Sequence, residues 1–148
     1  MAVPPKLDDL VSDLREADKQ ERTELLIDLA KGLPAVPPRF EDQRDAAHRV
    51  HECLSPVFLF VEVGDDDRAA IFADAPLEAL TVRGFVGLLV EGLDGATVED
   101  LLGVPDDLVE RSGIHELVGM QRAMGLPRIL RRLKAEVTRA AMARASAP

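Results

Sequence analysis

The stretch VFLFVEVGDDDRAAIFA, residues 57–73, predicts a β-hairpin. Its first part, residues 57–63, is rich in the β-branched and aromatic side chains that are typical of strands, and a second apolar run covers residues 69–73. The letters GDDD between the two runs are turn residues. If RVHE, residues 49–52, is also a strand, the sheet has three antiparallel strands. The sequence therefore predicts a small antiparallel sheet in the middle of the chain.

Two amphipathic helices are predicted before the hairpin. Their apolar residues recur every three or four positions, which places them on one face of each helix. The first helix has Leu7, Leu10, Val11 and Leu14, and the second has Leu25, Leu26 and Leu29. Gly32 and Pro34 are stop signals for the second helix. The proline-rich segment 33–48 is expected to be an extended connection within one domain.

Three further helices are predicted directly after the hairpin. The first begins near Ala75 and ends near Gly92, because its apolar residues return to helical spacing. The second is short and begins at Thr97, which is followed by an acidic residue as in a capping box. The third is bounded by Pro105 and Gly113.

The last predicted helix is long and carries Ile129, Leu130, Leu133 and Val137 on one face. We place Pro127 in its first turn, because an interior proline costs about 3 kcal/mol. Residues 138–148 are expected to fray. The order of helices and strands predicts an α+β fold in a single domain, residues 1–148, with a core over about residues 7–137.

The charge and composition argue against nucleic acid as a partner. The chain has 148 residues, a formal net charge of −9 and no aromatic residues other than five Phe. Binding to phosphate backbones relies on clustered Lys and Arg and often on aromatic stacking. No apolar run approaches the roughly 20 residues of a membrane span, and the N-terminus lacks a signal-peptide pattern. We therefore expect a cytoplasmic protein with neither nucleic acid nor a membrane as partner.

Signatures of common enzyme classes are absent from the sequence, which has no Walker loop, no dinucleotide-binding glycine pattern, no G-x-S-x-G and no HExxH.

His48, His51 and Cys53 are possible metal ligands. However, alternation along a strand would separate His48 from the other two, and the chain has no second cysteine. We therefore expect no metal site. His115 is expected to be a surface or cap residue.

Cys53, the only cysteine, is the candidate nucleophile. It lies on a predicted loop that continues with Ser55 and Pro56, and a protonated His51 would lower its pKa while Glu52 would raise it. Thiolate chemistry needs no other protein group. A lone intracellular cysteine is more often an inert packing residue. The residues alone therefore leave packing and reactivity both open.

Four segments resemble the SufE family of sulfur-acceptor proteins in iron-sulfur cluster assembly. They are ELLIDLAKGLP, ECLSPVF, EALTVRGFVGLL and QRAMGL, and the resemblance runs from about Leu7 to Lys134. It implies a SufE/IscU-like fold, with helices packed on a three-stranded antiparallel sheet. It also implies that Cys53 takes persulfide sulfur from a cysteine desulfurase, stimulates that enzyme and passes the sulfur to a cluster scaffold. The pyridoxal phosphate belongs to the desulfurase, so the resemblance implies no cofactor for this chain and no stand-alone enzyme activity.

The resemblance also assigns roles to individual residues besides Cys53. The loop and pocket residues are His51, Leu54, Ser55, Val57 and Phe58. The charged residues assigned to partner binding are Glu78, Arg83, Glu110 and Arg122. Leu54 replaces the usual glutamine of the family, and Pro127 replaces a helix-favouring residue, so loop geometry and the entry into the last helix are expected to differ.

Two other functions stay open at this point. In one, the chain is a noncatalytic adaptor or regulator of a desulfurase, and Cys53 carries no sulfur. In the other, it is a thiol redox sensor or peroxidase, although it has no resolving cysteine. Reaction with iodoacetamide separates the adaptor from the other two, and stimulation of a desulfurase separates sulfur transfer from redox sensing.

Overall fold

The predicted hairpin is present in a computed structural model of the chain, which describes residues 3–50 and 55–146. Strand β1 (Phe58–Val63) pairs antiparallel with β2 (Ala69–Asp74). Asp67 in the connecting turn has a φ of 61°, a left-handed conformation that Asp tolerates better than most residues. The inward face of β2, represented by Ile71 and Ala73, is buried.

The predicted third strand is not confirmed among the described residues. In its place is one isolated antiparallel bridge between Arg49 and Phe58. The Asp45 carboxylate accepts hydrogen bonds from the backbone N–H groups of Ala47 and His48, so the chain turns directly before the bridge. Residues 51 and 52 of the expected strand lie outside the described residues.

Six α-helices and two short 3₁₀ helices make up the rest of the described regular structure. The α-helices are α1 (Pro5–Glu16), α2 (Lys19–Lys31), α3 (Leu80–Leu93), α4 (Val98–Leu102), α5 (Leu108–Ser112) and α6 (Met120–Ala145). The 3₁₀ helices are Pro38–Gln43 and Ile114–Leu117. The predicted cap at Thr97 is confirmed, because its hydroxyl accepts a hydrogen bond from the Asp100 N–H. Two helices start later than predicted: α3 follows a turn at residues 77–78, and α5 follows a turn at residues 106–107.

Glycines allow α3 to approach α1 and α2 closely. A methyl group added at any of three α3 glycines would overlap a residue of the neighbouring helix. The three contacts join Gly84 to Leu26, Gly87 to Leu29 and Gly92 to Leu7. Helix α3 also packs against β2, and α6 packs against β1, so these two helices cover the inward face of the hairpin. The core therefore lies between the helices and the sheet.

The connection before the hairpin covers its outward face. It was predicted to be extended, but it contains the 3₁₀ helix Pro38–Gln43. The Phe40 ring on this helix stacks on Phe60 with ring centres 4.9 Å apart and lies 5.1 Å from Phe72. The Arg39 guanidinium lies 4.7 Å from the centre of the Phe40 ring. These aromatic contacts cover the outward face of the hairpin, and α3 and α6 cover its inward face.

Helix α6 differs from the sequence prediction at both ends. It begins at Met120, so Pro127 lies inside the helix and not in its first turn. Proline cannot donate to the Ala123 carbonyl, and burial of neighbours such as Leu126 and Leu130 offsets that loss. Residues 138–145, which were expected to fray, are helical, because Ala141 packs against the core and Arg144 pairs with Asp65 of the hairpin turn.

No helix in residues 3–50 and 55–146 is long and apolar enough to cross a membrane.

An ion pair that ties α6 to the segment before α5 gives a pH-dependent prediction. Lys134 Nζ lies 2.9 Å from Asp106 Oδ1 and lowers the pKa of that carboxyl, mainly by hydrogen bonding. A lowered folded pKa stabilises the fold above the unfolded value of about 3.9, and this stabilisation is lost as pH falls through the folded pKa. Because the carboxylate is largely exposed, the effect is at most about 1 kcal/mol.

We therefore expect Asp106→Asn to lower the free energy of unfolding at pH 6, measured by urea denaturation, and this loss should shrink as the pH is lowered to 2.5. A deficit of equal size at both pH values would contradict the role given to the ion pair.

Candidate functional site

The segment that carries Cys53 is held at both ends by a buried pair of residues. Val50 and Val57 are fully buried, and the Val50 N–H donates to the Val57 carbonyl at 2.8 Å. Residues 51–56 thus form a six-residue connection between paired positions. His51, Cys53 and Leu54 lie outside the described residues, so their assigned roles stay predictions.

The described part of this connection and its exit are more exposed than the anchoring pair. Ser55 is half-buried, Pro56 is exposed and Phe58 is half-buried. Val57, which the resemblance assigns to the loop and pocket, is buried in the core, and its assigned role stays a prediction. The chain is therefore buried at Val50 and again at Val57, and Pro56 directly before Val57 is exposed.

Two arginines flank Phe58 at this end of the hairpin. The Arg44 guanidinium lies 5.8 Å from the centre of the Phe58 ring, and Arg49 forms the bridge to the Phe58 backbone. Among the described residues, Arg49 Nε is buried and has no hydrogen-bond partner. Arginine stays charged in proteins, and positive charge favours thiolate over thiol. Arg44 is paired with the carboxylates of Glu41 and Asp74, so within the described residues the positive charge not balanced by an ion pair at this end of the hairpin is that of Arg49.

Asp74 fixes this charged end to the body of the domain. It lies opposite Phe58 in the sheet register, and its Oδ2 accepts from Arg44 Nη1 at 2.6 Å. The hydrogen bond to Asp74 raises the pKa of Arg44. Asp74 Oδ1 also accepts from Arg83 Nη1 at 3.4 Å. An Arg44–Asp74–Arg83 network thus connects β2 with the connection before the hairpin and with α3.

His48, one of the possible metal ligands, is engaged in other contacts. Its ring stacks on Phe60 with centres 5.2 Å apart, and its Nδ1 lies 2.8 Å from Asp45 Oδ1. The hydrogen bond from His48 lowers the pKa of Asp45. The described residues contain no group of three His, Cys, Asp or Glu side chains that could hold a metal ion. His115 is half-buried on the second 3₁₀ helix, with Nδ1 3.4 Å from the Val109 carbonyl.

The four charged residues assigned to partner binding lie in different environments. Glu78 is exposed in the turn before α3, next to Leu77, which is 71% exposed. Glu110 is exposed on α5. Arg122 belongs to the first turn of α6, but its side chain is outside the described part of the structure. Arg83 is different, because its side chain is only 13% exposed.

Arg83 is occupied by contacts inside the domain. Its Nε donates to the Ala30 carbonyl in the last turn of α2 at 2.9 Å, and its Nη1 donates to the Ala75 carbonyl at 2.5 Å. These bonds, with the one to Asp74, join α2, α3 and the end of β2. Arg83 is therefore a structural link, and the role in partner binding that the resemblance assigns to it stays a prediction.

We expect Arg83→Met to lower the free energy of unfolding by about 2–3 kcal/mol, because it leaves the Ala75 carbonyl without its donor and removes the hydrogen bonds to Ala30 and Asp74. Methionine keeps the apolar stem, so most packing is retained. Lys31→Met is the matched control, since Lys31 is exposed in the last turn of α2, and a change within about 0.5 kcal/mol is expected there. Equal effects of the two substitutions in urea denaturation would refute the structural role of Arg83.

Comparison with known proteins places the cysteine segment in a family. A family model described as SufE, an Fe-S metabolism associated domain, matches residues 8–137. The chain belongs to the SufE family.

Relatives of this SufE-family chain extend over most of its length. An uncharacterized SufE-like protein of Mycobacterium tuberculosis is 37% identical over 133 residues, which cover 90% of this chain and 92% of that protein. The cysteine desulfuration protein SufE of Plasmodium falciparum is 26% identical over 115 residues, covering 76% of this chain and 45% of that protein. The solution structure of a hypothetical protein from Thermus thermophilus has a TM-score of 0.82 and 34% identity, covering 95% of this chain and 99% of that one.

The sequence did not point to Arg44, Arg49 or Asp74 as part of the site of this SufE-family chain. A weak signal was available, because Asp74 ends the apolar run AAIFAD and Arg49 directly precedes the buried Val50. Neither position could be paired with its partners without the register of the hairpin and the path of the connection before it.

Proposed function

We propose that this SufE-family chain accepts sulfane sulfur on Cys53 from a cysteine desulfurase and delivers it for iron-sulfur cluster assembly. The observation that carries the proposal is the position of the chain's only thiol within the matched SufE region, in a short connection between the paired residues Val50 and Val57. The name of the Plasmodium relative, a cysteine desulfuration protein, supports the same chemistry.

The proposed transfer is an exchange between a thiolate and a persulfide. The Cys53 thiolate attacks the terminal sulfur of the persulfide on the desulfurase, so a new sulfur–sulfur bond forms on Cys53. The bond between that sulfur and the desulfurase cysteine breaks, and the desulfurase cysteine leaves as a thiolate. No external oxidant or reductant is needed. A thiolate on the receiving scaffold takes the sulfur from Cys53 by the same step.

Residues around the cysteine segment have distinct proposed roles. Arg49, whose Nε has no partner among the described residues, favours the anionic sulfur that attacks and then carries the sulfane atom. His51, Leu54, Ser55 and Phe58 surround the persulfide in the proposal, while the buried Val57 holds the end of the connection. Access to a partner protein is consistent with the exposed Pro56.

The proposed desulfurase contact includes Glu78, with Glu110 and Arg122 as further contacts. Glu78 is suited to this role because it is exposed beside Leu77, and a charged residue next to an exposed apolar one is typical of the rim of an interface. Arg83 supports this surface from inside by holding the start of α3.

Stimulation of a purified cysteine desulfurase tests the proposal. The rate of alanine formation from cysteine is measured with and without the chain, and with the chain after reaction with iodoacetamide. Because Cys53 is the only cysteine, alkylation blocks one defined atom. We expect the untreated chain to raise the rate and the alkylated chain to leave it unchanged.

Two other results would replace the proposal. Equal stimulation by both forms would mean that the chain acts as an adaptor and that Cys53 carries no sulfur. Rapid alkylation without any stimulation of the cognate desulfurase would favour a redox thiol.

A further inference from the structure

A cleft of about 310 Å³ opens between α1, α2 and α3. Leu14 of α1 and Leu29 of α2 are buried at its floor, and Leu10 and Leu25 form half-buried sides. None of the described residues that line it belongs to the hairpin or directly flanks the cysteine segment. The described lining of the cleft therefore comes from elements other than those next to the proposed sulfur site.

Each of the three helices contributes one carboxylate to the rim of this cleft. They are Asp13 of α1, Asp28 of α2 and Glu91 of α3, and all three are exposed. Within residues 3–50 and 55–146, none of these carboxylates accepts a hydrogen bond or forms an ion pair. No lysine or arginine is among the described residues that line the cleft. An apolar floor thus lies inside a rim of unpaired negative charge.

A second cleft of about 390 Å³ extends this surface along α3. The two share Glu91, and the second is lined by Gly87, Val90 and Asp94 of the same helix and its cap. Its one basic residue is Lys6. We call the two clefts together the acidic groove. An apolar floor flanked by carboxylates suits the apolar face of an amphipathic helix with cations beside it.

We propose that the acidic groove binds an amphipathic helix of a protein partner that carries lysine or arginine on both sides of an apolar ridge. The ridge would cover Leu10 and Leu25, and its cations would pair with Asp13, Asp28 and Glu91. A polyamine would leave the leucines uncovered, and an anionic lipid surface would be repelled by the rim. The described lining of the groove includes no residue that directly flanks the cysteine segment, so the proposed partner does not compete with a desulfurase for those residues.

The test uses a fluorescent 18-residue synthetic helix with leucine at helical spacing and lysine on either side. Its binding is measured by fluorescence anisotropy at low and physiological salt. We expect saturable binding that weakens with salt, and a matched peptide with glutamate in place of lysine should not bind. Amide shifts in NMR spectra should map to Leu10, Leu25 and Glu91.

A triple variant tests the rim. Asp13→Asn with Asp28→Asn and Glu91→Gln is expected to weaken binding about 10-fold, because three exposed ion pairs are lost. The control has the same change in net charge at exposed positions elsewhere: Asp9→Asn, Asp42→Asn and Glu99→Gln. Thermal unfolding checks that both variants fold. The proposal is overturned by absence of peptide binding, by equal losses in both variants, or by shifts that map outside the groove.

Discussion

Replacing Cys53 with serine is expected to abolish transfer of sulfur to this SufE-family chain. Serine is nearly the same size, but its hydroxyl is not ionised near neutral pH and cannot form the sulfur–sulfur bond that carries the transferred atom. The measurement is the radioactivity bound to the chain after incubation with a desulfurase and ³⁵S-labelled cysteine. We expect the variant to retain none above background, while the wild type is labelled.

The matched control moves the thiol by two residues. Cys53→Ser combined with Ser55→Cys keeps one cysteine in the connection between Val50 and Val57. If transfer depends on the position of Cys53, this double variant stays far below the wild type. Circular dichroism should give the same cooperative unfolding for all three proteins. Label on the single Cys53→Ser variant would refute the role of Cys53.

Replacing Arg22 with alanine is expected to cost the fold about 3 kcal/mol, because it removes a buried donor from carbonyls at the end of α1. Arg22 is 7% exposed. Its guanidinium donates to the carbonyls of Leu14 at 2.8 Å, Arg15 at 3.2 Å and Ala17 at 3.0 Å. It also lies 2.7 Å from Glu116 Oε2. One side chain thus joins α1, α2 and the second 3₁₀ helix.

Thermal unfolding measures this loss, and we expect the midpoint for Arg22→Ala to fall by about 10 °C. Arg22→Lys keeps the charge but not the planar group that reaches several carbonyls, so an intermediate loss is expected. Arg15→Ala is the control, because it also removes an arginine but from an exposed site in the last turn of α1. A fall of less than about 2 °C for Arg22→Ala would contradict the structural role of Arg22.

Local patterns predicted most of the helices and the hairpin. The β-branched and aromatic run in residues 57–63 and the spacing of Leu7, Val11 and Leu14 reflect burial, which sequence records directly. The predictions that were wrong concern segments whose structure depends on contacts between residues far apart in the sequence. Pro127 is tolerated inside α6 because burial around it offsets the lost hydrogen bond, and residues 138–145 stay helical because Ala141 and Arg144 find partners far along the chain.

The candidate site was also predicted only in part from the sequence. The thiol and its family could be recognised from the residues around Cys53, and the matched region 8–137 agrees with that recognition. The assignment of Arg83 to a partner surface did not anticipate its bonds to Ala30 and Ala75, since neither contact follows from the periodicity of α3. Arg22 was not singled out for the same reason, because its ion-pair partner Glu116 lies 94 positions away in the sequence.

The most direct test of the central claim is the intact mass of the chain after incubation with a cysteine desulfurase and cysteine. We predict a gain of one sulfur atom, about 32 Da, that peptide mapping locates at Cys53 and that dithiothreitol removes. An unchanged mass, with a cognate desulfurase that is active in the same mixture, would contradict the claim that this chain carries sulfur.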